Sequence, residues 1–173
     1  ARDRRAAAVA AVQTSRADGL AVWLTLPAGI DGLTADGVAT LDAFLAAGVD
    51  VSGVNAMTMN FGVPEAATSM SAAVAASMEA AEQVRVSFSA AGTELSDAHL
   101  WARLGATVMI GRNDVRAELF TLDDASTLVA FAHRHGLGRL SMWSMNRDAP
   151  CGPDADAGVA QNLCSGQEQT VAA

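Results

Sequence analysis

Tyrosine is missing altogether from the 173 residues, and aromatics of any kind make up only 5%. Without phenol groups, polar recognition falls to amides, hydroxyls and carboxylates. No apolar stretch approaches the roughly 20 residues that a membrane-crossing helix needs. Cationic surplus is absent too: 11 Lys+Arg stand against 19 Asp+Glu, for a net charge of -8 and a pI near 4.6. With no basic patch to displace counterions from phosphates, nucleic acid and anionic membrane are excluded as main partners, and a neutral ligand fits better. Nothing of the form GxGxxG or GxxxxGK[ST] follows an apolar run, which weakens any nucleotide-binding reading. Only two cysteines occur, Cys151 and Cys164, both in a Gly/Pro/Asp-rich tail. They read as a disulfide closing a loop in an oxidising compartment, or else as two unrelated thiols. No third or fourth ligand lies near them to complete a metal site.

What is present is a compact-domain composition, 51% hydrophobic and 17% charged, which excludes disorder. The opening segment ARDRRAAAVAAVQTSRADG sets charges before alanines in the manner of a signal peptide. Gln13 and the flanking charges interrupt it, however, and an Ala-rich helix suits it better. The chain opens on alanine, and the expectation is that it begins inside a longer protein.

Four strand-length apolar runs alternate with helical patterns: Leu20–Pro27, Val51–Met59, Ala106–Gly111 and Gly138–Met145. Such runs, bounded by Gly, Pro, Asn or Asp, predict parallel strands in a sheet covered on both faces. Between the first two, TADGVATLDAFLAAG places Val38, Leu41 and Leu45 on one helix face. A helix from Pro64 and Glu65 runs through Met70, Val74 and Met78 towards Gly92. A short one over Ser96–Leu104 ends at Gly105. Thr121 and Asp124 form a capping-box pattern ahead of a stripe of Ala125, Leu128, Val129 and Ala132. His133 and His135, two residues apart, point to different faces and suit a helix C-terminus better than a metal. The order is that of a small open α/β sheet or of half a (β/α)8 barrel, since a full barrel takes about 250 residues.

In either architecture the site lies at the C-terminal strand ends. Four clusters fall there: Thr25–Pro27, Met57–Gly62, Gly111–Asp114 and Trp143–Asp148. They hold few carboxylates, no histidine, several amides and one tryptophan. That mixture suits a neutral sugar, whose apolar faces stack on rings while its hydroxyls find amides. A core role for Trp143 and a turn at Asn113-Asp114 is the competing reading.

GVNAMTMNFG resembles the sixth barrel strand of bacterial chitinases of glycoside hydrolase family 18, which reads close to VNxMTMDYG. VMIGRNDVRAELFTLDDASTLVAFAHRHGLGRLSMWSMNRD is similar to their seventh strand, last full helix and eighth strand. Leu24–Pro27 fits the fifth strand, and Cys151…Asn162-Leu163-Cys164-Ser165-Gly166 resembles that subgroup's ending. The resemblance covers nearly the whole chain in order. It implies a TIM-barrel-type α/β fold, present as strands 5 to 8. Residues 1–150 would form the second half of the barrel and 151–173 a disulfide-closed tail.

By the same resemblance, Trp143 would floor the sugar at the cleaved bond. Met57, Met59, Asn60, Asn113 and Asp114 would contribute to substrate binding, and Glu118 belongs to the same loop motif. The family's retaining mechanism uses one glutamic acid as proton donor and the substrate's N-acetyl oxygen as nucleophile. The acid lies on a DxxDxDxE motif that does not occur in this sequence, so the chain is expected to start just after it. Asn60 stands in place of an aspartate and Phe61 in place of a tyrosine. The implied substrate is chitin or chito-oligosaccharide, with no cofactor or metal, and the implied location is extracellular. The alternative is a sugar-binding module without catalysis. An open half barrel is also expected to pair with a missing first half or with itself, or to be poorly stable.

Overall fold

The computed structural model describes residues 1–16, 19–79, 81–156 and 160–167. The alanine-rich opening forms α1 (Arg2–Ser15), and Gln13, the residue that interrupts its alanines, ties it to the sheet. The Gln13 amide donates to the carbonyls of Leu20 and Asp50 at 2.8 and 3.0 Å and accepts the Asp50 N–H at 2.8 Å. Then come β1 (Val22–Gly29), β2 (Gly32–Leu33), α2 (Ala35–Ala46) and β3 (Val51–Met57). The segment after β3 holds three helices, α3 (Pro64–Thr68), α4 (Met70–Glu79) and α5 (Glu82–Ala90). After α6 (Asp97–Arg103), β4 (Leu104–Met109), β5 (Gly111–Arg112) and β6 (Leu119–Phe120), the chain closes with α7 (Leu122–His135) and β7 (Arg139–Trp143).

The main sheet has the order β2-β1-β3-β4-β7. Strands β1, β3, β4 and β7 are parallel, as their apolar runs predict. The antiparallel β2, which pairs Gly32 with Gly29, was not foreseen. Each parallel strand joins on the same side of its predecessor. Right-handed crossovers then carry every connecting helix to one face of the sheet. The expectation of cover on both faces is therefore corrected. Leu24 and Leu26 are buried in the core with Leu41, Phe44, Val74, Met78 and Leu128, whereas Thr25 and Pro27 between them are exposed. Strand β7 is an edge, and only a single 3-10 turn over Met145–Arg147, with no α-helix, follows it among the described residues. Leu140 and Met142, on its helix side, consequently stay 41% and 45% exposed.

Met70, Val74 and Met78 are buried as their spacing predicts, but the helix expected from Pro64 to Gly92 is broken at Ser69. There the backbone is extended, and α4 starts afresh with two borrowed caps. Ser69 Oγ accepts the Ala72 N–H at 3.2 Å, and Asp124 Oδ1 accepts that of Ser71 at 2.9 Å. Asp124 also closes the foreseen capping box of α7, and Gly136 ends that helix in the left-handed conformation. Within α7 the buried stripe is Leu128, Phe131 and Ala132, while Val129 is 46% exposed and falls outside it. In α2, Leu41 is joined in the core by Phe44, with Val38 and Leu45 half-buried beside them. The helix expected over Ser96–Leu104 stops at Arg103, and Leu104 and Gly105 already belong to β4.

Candidate functional site

Parallel pairing brings the C-terminal strand ends to one rim. Pro27 stands beside Met57, Met57 beside Thr107 and Met109 beside Trp143. The period of two turns these side chains away from the helices, towards the open face. Here lies a cleft of about 450 Å³ whose wall includes Thr25, Met57, Met59, Asn60, Asp114 and Trp143. Five of the six residues singled out for substrate binding thus meet in one place. Trp143 is 58% exposed, so it is not the core residue of the competing reading. Its carbonyl is held by the Ile110 N–H at 3.0 Å, and its peptide bond to Ser144 is cis.

The sixth residue, Asn113, is buried completely beneath the cleft. Its amide nitrogen donates to the carbonyls of Met109 and Gly111 at 2.9 and 3.1 Å, and its oxygen accepts the Asn60 N–H at 3.2 Å. Asn60 itself has φ 55, a left-handed conformation that asparagine tolerates better than most residues. Its side chain spans the gap between the loops that follow β3 and β4. The Nδ2 group donates to Asp114 Oδ2 at 3.0 Å, and Oδ1 accepts the Val115 N–H at 3.2 Å. With an aspartate at position 60, two carboxylates would share this contact. Asparagine instead meets Asp114 with an N–H donor, so the contact is a hydrogen bond.

Glu118 is likewise fully buried. Its two carboxylate oxygens receive the backbone N–H groups of Phe61 and Gly62 at 3.1 and 2.6 Å. Both Asn113 and Glu118 therefore hold the loop behind Met59 and Asn60 in place, as positioning residues rather than wall residues.

Arg147, 1% exposed, fastens the far side of the rim. It donates to the carbonyls of Ile110 at 3.1 Å, Arg112 at 2.6 Å and Gln161. Burial lowers its pKa, and the negative charge of Asp114 opposes that shift. The Cys151–Cys164 disulfide, present as the tail composition predicts, holds the returning segment against this rim. Arg112 N–H reaches the Ser165 carbonyl at 2.8 Å. A Cβ on Gly111, whose φ is +73, would lie 1.9 Å from that carbonyl oxygen, so only glycine permits the approach. Of the 151–173 segment, residues 157–159 and 168–173 lie outside the described residues.

The cleft also includes Thr107, Met109 and Asn162, which were not foreseen. Thr107 and Met109 were legible in principle, because they alternate with Ala106 and Val108 on a strand. Asn162 was not, since its place depends on the folding back of the tail. The two histidines set aside at the end of α7 stay apart from the cleft. The His135 ring lies 4.4 Å from the rings of both Trp101 and Phe131. Among the described residues no group of three His, Cys, Asp or Glu comes together to hold a metal.

No family model matches the chain. A probable bifunctional chitinase/lysozyme of Escherichia coli is 34% identical over 157 residues, spanning 87% of this chain and 18% of that protein. Endochitinase 11 of Metarhizium anisopliae is 34% identical over 155 residues, 86% of this chain and 30% of its own length. Among solved structures, catalytic-site mutants of active domain 2 of the Pyrococcus furiosus chitinase superpose with TM-scores of 0.83 and, complexed with chito-oligosaccharides, 0.80. Identity is 32% and 33%, and each match covers 98% of this chain and 52% of the other. The chain thus spans about half the length of the solved domain it matches, and less of the two relatives.

Proposed function

The chain belongs to the chitinases of glycoside hydrolase family 18, and on that premise we propose that it forms strands 5 to 8 of a (β/α)8 barrel. In this reading it supplies the sugar-binding half of an enzyme that hydrolyses β-1,4-linked N-acetylglucosamine polymers. The observation that carries it is the grouping of Trp143 with Met57, Met59, Asn60 and Asp114 in one open cleft at the C-terminal strand ends. The exposed indole offers a stacking surface for a pyranose ring, the two methionines extend it, and Asp114 supplies a hydrogen-bond acceptor for sugar hydroxyl or acetamido groups. Asn113 and Glu118 hold the loop that carries Asn60.

Chemistry by the family's route needs a glutamic acid to protonate the glycosidic oxygen while the substrate's acetamido oxygen attacks the anomeric carbon. The sequence has no DxxDxDxE motif to provide that acid. Glu118 is no substitute, since both its oxygens are engaged by backbone N–H groups. Hydrolysis is therefore assigned to the chain only in company with a first half carrying that motif. The disulfide supports an extracellular location, where thiols stay oxidised.

The test is hydrolysis of a fluorogenic chitobioside by the chain alone and after co-refolding with a first-half segment bearing DxxDxDxE. Turnover only after co-refolding is the expected result. Turnover by the chain alone would overturn the assignment of the acid to the other half. Natively folded chain that stays inactive in both cases, yet binds chito-oligosaccharides, would select the non-catalytic binding module.

A further inference from the structure

Two asparagines share the wall of the cleft, and they differ in what their amides already hold. Asn60 spends both ends within the protein, Nδ2 on Asp114 at 3.0 Å and Oδ1 on the Val115 N–H at 3.2 Å. Asn162 is exposed, and its side-chain amide makes no hydrogen bond among the described residues. Of the other polar wall residues, Asp114 supplies acceptors, and Thr25 and Thr107 already share the Asn55 amide at 3.4 and 2.6 Å. An uncommitted amide offers two N–H donors and one acceptor, a set that matches sugar hydroxyl and acetamido groups.

The main chain around Asn162 is held on both sides, in contrast to its side chain. The Asn162 carbonyl accepts from Asn146 Nδ2, and the Gln161 carbonyl from the buried guanidinium of Arg147. Two residues on, Cys164 is buried and bonded to Cys151, and the Ser165 N–H reaches the Ala149 carbonyl at 3.0 Å. A fixed backbone that carries a free amide is preorganised for a ligand, because little main-chain ordering remains to oppose binding. An asparagine with a structural task spends its amide instead, as Asn113 does on the Met109 and Gly111 carbonyls.

We propose that Asn162 is a sugar-binding residue, brought to the cleft by the disulfide-closed tail, whose amide N–H donates to a hydroxyl or acetamido oxygen of a chito-oligosaccharide stacked on Trp143. The inference rests on the sugar-binding reading above and adds to that site a residue from outside the strands and their loops. It gives the tail a task in recognition: Arg147, Asn146 and the disulfide position the residue, and Asn162 makes the contact.

Titration calorimetry of the full chain with a chito-oligosaccharide tests it. Asn162→Ala is expected to weaken binding about fivefold or more, the worth of one hydrogen bond, with the melting temperature unchanged. Asn162→Asp keeps the size and loses the N–H donors, and is expected to weaken binding as well; it is the variant read if Asn162→Ala lowers the melting temperature. Leu163→Ala alters the adjacent exposed residue, which is not part of the cleft wall, and should leave affinity as it is. Full affinity in Asn162→Ala and Asn162→Asp, with binding still weakened by Trp143→Ala, would overturn the proposal while leaving the sugar site standing. An equal loss in Leu163→Ala would overturn it too, by assigning the effect to the tail as a whole. No binding by the unmodified chain would remove the sugar-binding reading and this proposal together.

Discussion

Glu118 receives the backbone N–H of Gly62 through Oε1 at 2.6 Å, and through Oε2 that of Phe61 at 3.1 Å. A buried carboxylate thereby sets the path of a loop 56 residues earlier in the chain. Replacing it with alanine leaves two backbone donors without their acceptor. Hydrogen bonds to charged groups are worth about 1.5–3 kcal/mol each, so Glu118→Ala is expected to cost about 3 kcal/mol or more in urea unfolding. A loss under about 0.5 kcal/mol would show that the loop holds without it.

Trp143 should separate binding from stability. Its side chain is largely in solvent, so Trp143→Ala is expected to change unfolding free energy by less than about 1 kcal/mol. Loss of a stacking platform should nevertheless weaken chito-oligosaccharide binding by about tenfold or more, measured by titration calorimetry. Equal affinity in the two proteins would take Trp143 out of the site.

Asp124 makes stability depend on acid. Burial raises its pKa, but hydrogen bonds from the Thr121 side chain and backbone and from Ser71 outweigh that, and the net shift is downward. Its contribution is therefore present above the ordinary carboxylate range and lost as pH falls through the lower folded value. Asp124→Asn should flatten that part of the acid limb and cost about 1 kcal/mol at neutral pH, because asparagine keeps one acceptor oxygen where Asp124 uses two, one for Ser71 and one for Thr121. An unchanged acid limb in the variant would assign the pH dependence to other groups.

Gly138 stands just before β7, where there is no space for a side chain. A Cβ there would lie 2.0 Å from the Ala102 carbonyl oxygen, a backbone atom that cannot swing aside. Gly138→Ala is expected to destabilise by about 2 kcal/mol or more through backbone displacement. A melting temperature unchanged within error would mean that the strand shifts without cost.

Local pattern made much of this molecule legible. The strands over Leu24, Val54, Ala106 and Leu140, the capping box of Thr121 and Asp124, and the left-handed end at Gly136 all follow from residues within a few positions of one another. The clustering of Met57, Met59, Asn60, Asp114 and Trp143 was likewise available, because parallel strands bring their C-terminal ends together whatever the details. Three-dimensional folding decided the rest. The sequence named Asn113 for substrate binding and set Glu118 in the same loop motif, but only the folded chain shows both buried and hydrogen-bonded to the loop around Asn60. The helix from Pro64 breaks at Ser69, and Asp124, 53 residues beyond Ser71, accepts the Ser71 N–H and caps its second part. Whether one face of the sheet or two would be covered depended on the order in which strands pair. That order is set by contacts between distant segments, and the periodicity of a single strand carries no information about it.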